Sequence, residues 1–195
     1  MRALLINLSN LGGLMQESFQ DFFLDGIEKS ISIQEILIKD SVKWYLVNLL
    51  SDSVRADLAL ADPNKTITEL YFQALEAKTL TERNACLRNI GNISIIKLGM
   101  FPESIAKEIV NASFYRMIGL SAFGSVSNNV EIYRDIMSSY DDIIEILHGY
   151  KKSSDINNIP NLYEFWKITN SKFAFKRLIK LGFQFSYWNN INKEE

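Results

Sequence analysis

Leu87-Arg88-Asn89-Ile90-Gly91-Asn92-Ile93-Ser94-Ile95-Ile96-Lys97-Leu98-Gly99-Met100-Phe101-Pro102-Glu103-Ser104-Ile105 is the stretch on which the reading of the fold turns. From Leu87 to Leu98 apolar residues fall on every side of a helical projection, the pattern of a helix that neighbours cover all round. It predicts a buried central helix over about 81–98. The polar members Arg88, Asn89, Asn92 and Ser94 then lie near a low-dielectric interior, where each needs a partner or costs about 1–3 kcal/mol.

Outward from this helix, turn chemistry sets the neighbours. Thr66 with Glu69 and Thr79 with Glu82 form capping boxes, which predicts a helix near 66–77 before the central one. Gly99 suits a left-handed cap and Pro102 a stop or a new start. Ser104–Ser113 and Phe114–Ala122 follow as short helices, the second ended by Gly124. Asn128 opens an amphipathic helix with Val130, Tyr133, Met137, Tyr140, Ile144 and Leu147 on one face and Gly149 at its end. After Pro160, Leu162–Thr169 and Lys172–Leu181 are helical, the latter capped by Ser171 and left at Gly182.

Towards the N-terminus, Met15, Phe19, Phe22, Phe23 and Ile27 keep helical spacing, with Gly26 weakening or ending the helix. Residues 31–38 admit a short strand or, through Ser32 and Glu35, a helix start. Val42, Tyr45, Leu46, Leu49, Leu50 and Val54 continue as a stripe that stops before Asp62-Pro63-Asn64, as one helix or two in line. The expectation is an all-α chain, a single bundle of about seven to nine helices around the central one. Residues 1–195 form one domain, with a possible extension helix in 1–30, an internal linker at 151–160 and basic aromatic helices in 161–195.

Composition agrees. The chain has 195 residues, of which 47% are apolar, and its 9 Gly and 3 Pro are few, favouring helices and a sizeable core. A net charge of -2 gives no general reason to expect nucleic acid. Residues 151–195 are locally basic, with 8 Lys and Arg against 4 Asp and Glu. Cys86 is the only cysteine, which rules out an intrachain disulfide or a thiolate zinc site and favours a small hydrophobe on the central helix. The N-terminal apolar run, broken by Asn7, is too short for a signal peptide, and no run reaches the roughly 20 residues of a membrane span. The expected location is cytoplasmic.

Three motif groups carry a resemblance. They are Leu87-Arg88-x-x-Gly91-Asn92-x-Ser94 with Gly99-x-Phe101-x-Glu103-Ser104, then Tyr115-x-Met117-x-x-Leu120-x-Ala122-Phe123-Gly124, then Leu162-Tyr163-Glu164-x-Trp166-x-x-Thr169-x-Ser171 through Leu181-Gly182. With Tyr45-Leu46-Val47-x-Leu49-Leu50, this pattern resembles a family of uncharacterised all-helical bacterial proteins over about residues 41–183. The resemblance implies a bacterial helical domain and transfers no activity and no catalytic residue.

Three constellations are candidates for chemistry. Arg88, Asn92, Ser94, Glu103, Ser104 and Tyr115 form either a structural network, with Arg88 paired to Glu103 across the Gly99 turn, or a ligand site in which Arg88 clamps a carboxylate or phosphate. The network is the favoured reading. The small residues nearby mean close helix approach, since a phosphate loop needs a spacing and a strand absent here. On the 128–149 helix, Arg134, Asp141, Glu145 and His148 share a flank, and Glu145-x-x-His148 is half of a di-iron motif. His148 is the only histidine, so the second half is missing and a solvated helix edge with i, i+3 and i+4 pairs is favoured. No metal or cofactor is implied.

In the tail, Lys172, Lys176, Arg177 and Lys180 form a basic arc opposite Ala174, Phe175, Leu178, Ile179 and Leu181, with Phe183, Phe185, Tyr187 and Trp188 following. Such a helix serves an anionic membrane, a partner, or simply the core with Lys in water, the last being favoured. No hydrolase, nucleotide or metalloprotease motif appears, and a Ser-His-Asp triad would have to use His148. The leading expectation is a non-enzymatic interaction or regulatory module that binds a protein partner or itself. Its rivals are a small anionic-ligand binder or enzyme around Arg88, and a peripheral membrane protein using the tail.

Overall fold

The computed structural model describes residues 12–55, 66–128, 130–151 and 158–185. Its described residues form ten helices and no strand: α1 (Gly12–Gln34), α2 (Asp40–Arg55), α3 (Ile67–Glu76), α4 (Leu80–Met100), α5 (Pro102–Ile105), α6 (Ala112–Gly124), α7 (Val130–Ser138), α8 (Tyr140–Lys151), α9 (Ile159–Thr169) and α10 (Lys172–Lys180). Asp62-Pro63-Asn64, Trp188 and most of the expected 151–160 linker lie outside the described residues, as do the side chains of Met15 and Val54.

Helix α4 starts where its capping box predicts. The Glu82 N–H donates to Thr79 Oγ1 at 3.1 Å, and the Thr79 N–H donates to Glu82 Oε2 at 3.2 Å. Two of the donors orphaned at a helix start are thereby satisfied. Leu87, Ile90, Ile93, Ile95, Ile96 and Leu98 are all buried, because α3, α6 and α8 pack on different sides of the rod. Each such side chain contributes about 1.5–3 kcal/mol of transfer free energy relative to exposure. The bundle about a buried central helix is therefore what the chain forms. Cys86 is half-buried and packs against the same core.

Several boundaries differ from expectation for reasons visible in the packing. Gly99 does not cap α4 but lies within it. A Cβ there would stand 2.6 Å from Leu147 Cβ, so the glycine lets α4 and α8 approach. Phe101, whose N–H donates to the Lys97 carbonyl at 3.1 Å, ends the helix, and Pro102 then opens α5. The expected Ser104–Ser113 helix is only the single turn of α5, followed by turns up to the α6 cap at Asn111.

Gly26 does not end α1 either, because it faces the Tyr150 ring of α8 and a side chain there would collide with it. The helix runs on until Glu35 takes a left-handed φ of 56°, with the Ile36 N–H donating to the Ile31 carbonyl at 3.2 Å. Thus Ser32 and Glu35 belong to a helix end rather than a start. Ser30 donates to the Ile146 carbonyl at 2.7 Å and Gln34 Nε2 to the Glu145 carbonyl at 3.0 Å, which fixes α1 on α8.

The single 128–149 helix is two. Ser138 Oγ donates to the Asp135 carbonyl at 2.8 Å, a side chain to backbone bond of the kind that bends helices, and α7 gives way to α8 at Ser139. With the bend, α7 packs on α2 and α6 while α8 packs on α1 and α4. Beyond the linker, α9 and α10 pack on each other. Trp166 sits with its ring centroid 4.8 Å from Phe185, 5.7 Å from Tyr163 and 5.9 Å from Phe175.

Candidate functional site

The six polar residues singled out around Arg88 do not converge. Arg88 and Asn92 lie one helical turn apart on the side of α4 toward α2, where the Tyr45 hydroxyl donates to Asn92 Oδ1 at 2.5 Å. Burial raises the Tyr45 pKa, with the charge of half-buried Arg88 opposing the shift. Ser94 is on another side of the rod, where it donates to the Tyr115 carbonyl and accepts from the Tyr140 hydroxyl at 2.9 Å.

The Tyr115 hydroxyl belongs to a third group. It donates to Glu108 and accepts from Lys97 at 2.9 Å, while Lys97 also meets Glu108 Oε1 at 2.5 Å. Burial works against both charges, but the mutual bonds outweigh it, so Lys97 is held above its usual pKa and Glu108 below.

Glu103 is not the partner of Arg88. Twelve positions separate Arg88 from the end of α4 at Met100, about 18 Å along the axis at 1.5 Å per residue, and Glu103 lies beyond it in α5. Glu103 pairs instead with Lys151 at 2.5 Å, and Ser104 closes its own turn by donating to the Phe101 carbonyl at 2.7 Å. These are separate ties between neighbouring helices and turns.

A cavity lies elsewhere, between the end of α1, α6, α8 and the start of α10. It is an open cleft of about 770 Å³, within the range of small-molecule sites. Local structure brings α10 to it. Thr169 ends α9 by donating to the Phe165 carbonyl at 2.6 Å, and Asn170 turns the chain with a left-handed φ of 56°. Ser171 then caps α10 by accepting from the Ala174 N–H at 2.8 Å. Lys172, Lys176 and Lys180 recur at four-residue intervals with Arg177 beside them, and all four line the cleft. So the basic arc expected from the sequence faces a cavity, not a flat surface.

Opposite lies α8. Glu145 is 7% exposed and Oε2 of its carboxyl has no hydrogen-bond partner among the described residues. Burial, aided by the neighbouring Asp142 charge, pushes its pKa up to about 7, against the opposing pull of Ser171, the Phe173 backbone and Arg116. Asp142 is raised by burial as well. Arg116 of α6 pairs with Asp141 and donates to the Thr169 carbonyl at 3.2 Å, joining α6, α8 and α9.

The expected solvated flank of the 128–149 helix is corrected here. Arg134 and Asp141 are exposed, but Glu145 and His148 are buried, and the His148 ring stacks on Phe165 with centroids 3.5 Å apart and planes 3° from parallel. A signal for this was present. Ile143-Ile144 and Ile146-Leu147 flank Glu145, so apolar residues surround that part of α8 as they surround α4. Among the described residues no group of three or more His, Cys, Asp or Glu is placed to hold a metal, and no helix is long and apolar enough to cross a membrane.

The chain matches no protein family, no curated protein and no solved structure.

Proposed function

We propose that this chain is a non-catalytic binding module that holds a small anionic ligand in the cleft beside α10. The observation that carries this reading is the convergence of Lys172, Lys176, Arg177 and Lys180 on one cavity of about 770 Å³. Cations placed on one helix face in a concave site attract an anion more strongly than the same charges spread over a convex surface, because low-dielectric walls focus the field. Their place along the rim of a cleft, rather than on a bare convex helix, favours a small ligand over the membrane surface to which a bare basic helix is suited. The reading keeps the bacterial setting that the resemblance implies and the cytoplasmic location expected from the sequence, and moves the ligand site from Arg88 to α10.

The test is a thermal-shift screen of anionic metabolites on wild type, on the double variant Lys172→Ala/Lys176→Ala and on Arg88→Ala. A ligand at 100 times its dissociation constant stabilises by about 2.7 kcal/mol, a readily measured rise in melting temperature. Wild type and Arg88→Ala are expected to respond and the lysine variant is not. A response that survives loss of both lysines sinks the reading.

Apolar exposure favours a second reading, the protein-interaction or self-associating module. Phe72 and Leu75 on α3 are 59% and 58% exposed, and Leu80 at the start of α4 is 61% exposed. Sedimentation equilibrium tests it through self-association that Phe72→Ser/Leu75→Ser weakens; a monomer at all concentrations removes the homo-oligomer.

A further inference from the structure

The cleft has walls of opposite charge. Lys172, Lys176, Arg177 and Lys180 come from α10, whereas Asp142 and Glu145 come from α8, and Glu35 stands at the end of α1. Arg116 and Asp141, the remaining charges, pair with each other. A simple anion in this space meets the lysines but lies beside a carboxyl that repels it when ionised. A simple cation has the reverse difficulty.

We propose that the ligand is a soluble zwitterion, whose ammonium group pairs with Glu145 Oε2 while its phosphate or carboxylate meets the basic edge of α10. This rests on the cleft being the anion site described above. The group carrying the inference is the buried carboxyl oxygen without a partner, since a buried acceptor left unpaired is costly and a buried charge more so. Arg116 draws on the carboxyl only from a distance, without a hydrogen bond to Oε2. Arg116 is held by Asp141 and the Thr169 carbonyl, and Gln34 places its Nε2 between Ser30 Oγ and the Glu145 backbone carbonyl. Ser171 and the Phe173 N–H bond the carboxyl from α10 without reaching Oε2, Asp142 precedes Glu145 by one turn, and His148 follows it against Phe165. An ammonium brings up to three donors and the missing positive charge. Burial also leaves Glu145 titrating at about 7, so a ligand cation displaces its proton near neutrality at little cost.

Calorimetric titration with matched probes tests this. Phosphoethanolamine is compared with ethyl phosphate, and 4-aminobutyrate with butyrate, on the full chain as wild type, Glu145→Gln and Lys172→Ala/Lys176→Ala, with circular dichroism confirming that each variant is folded. In at least one pair the amine-bearing probe is expected to bind wild type about tenfold tighter than its amine-free match. Glu145→Gln is expected to erase that preference and the lysine variant to lose binding of both probes. Equal affinities within both pairs, or a preference that persists in Glu145→Gln, overturn the zwitterion while the anion site stands. If none of the four probes binds wild type at about 10 mM, the anion site falls with it. Pelleting with phosphatidylethanolamine vesicles would overturn the assignment to a soluble molecule in favour of a lipid headgroup.

Discussion

The Tyr140 hydroxyl of α8 donates to Ser94 Oγ of α4 at 2.9 Å, and the Ser94 hydroxyl in turn donates to the Tyr115 carbonyl of α6. One serine thus ties three helices in the interior. Ser94→Ala leaves a buried hydroxyl unpaired and is expected to destabilise by about 1–3 kcal/mol in urea unfolding, and Tyr140→Phe by about 1 kcal/mol. In the double variant the losses are expected to fall short of additivity by about 0.5–1.5 kcal/mol. Strict additivity would show that the two hydroxyls act independently.

Glu145 makes stability depend on pH. Its pKa rises from an ordinary 4.5 to about 7 in the folded chain, mainly through burial. Between those values the folded state holds a proton that the unfolded state releases. The contribution is complete below about pH 4.5 and is lost as pH rises through about 7, by on the order of 3 kcal/mol. Glu145→Gln is expected to remove this part of the slope and to raise the urea midpoint at about pH 8 relative to wild type. An unchanged slope between about pH 5 and about pH 8 would contradict it.

Gly99→Ala is expected to cost about 1–3 kcal/mol, because the added methyl meets Leu147 of α8 and the helices must separate or shift. Helix propensity alone predicts a gain of about 1 kcal/mol, so the sign of the melting-temperature change decides between propensity and packing.

Glu35→Gly is expected to stabilise by about 0.5–1 kcal/mol. Glu35 holds φ at 56°, a region that disfavours side chains other than glycine by about 1–2 kcal/mol, and it is exposed. A lower melting temperature would mean that its side chain matters more than its backbone.

How far the sequence carries the structure depends on where the controlling atoms lie. Local chemistry was legible: the Thr66 and Thr79 capping boxes and the Ser171 cap stand where spacing placed them, and the apolar run of α4 is buried on all sides. What failed depended on distant chain. Whether Gly99 ends a helix or admits a neighbour is set by Leu147, and whether Glu145 is wet or dry is set by α10, more than twenty positions later. For the candidate site, the basic residues of α10 and Glu145 of α8 are each legible in the sequence, but their meeting across one cleft is not, since 27 positions separate Glu145 from Lys172. Arg88 lies near the middle of α4, where apolar residues all round imply a trapped side chain, yet it is only half-buried, because its long stem reaches the margin of the core.

Trp166, wedged among Tyr163, Phe175 and Phe185, gives the molecule an optical gauge of its own. Its emission depends on how α9 and α10 lie against each other, and α10 is the helix that presents the lysines to the cleft. Trp44, at 45% exposure, is open to a soluble quencher, so with Trp188 replaced by Phe its light can be suppressed and that of Trp166 followed with less background. Occupancy of the cleft is therefore open to reading by fluorescence in an unlabelled chain.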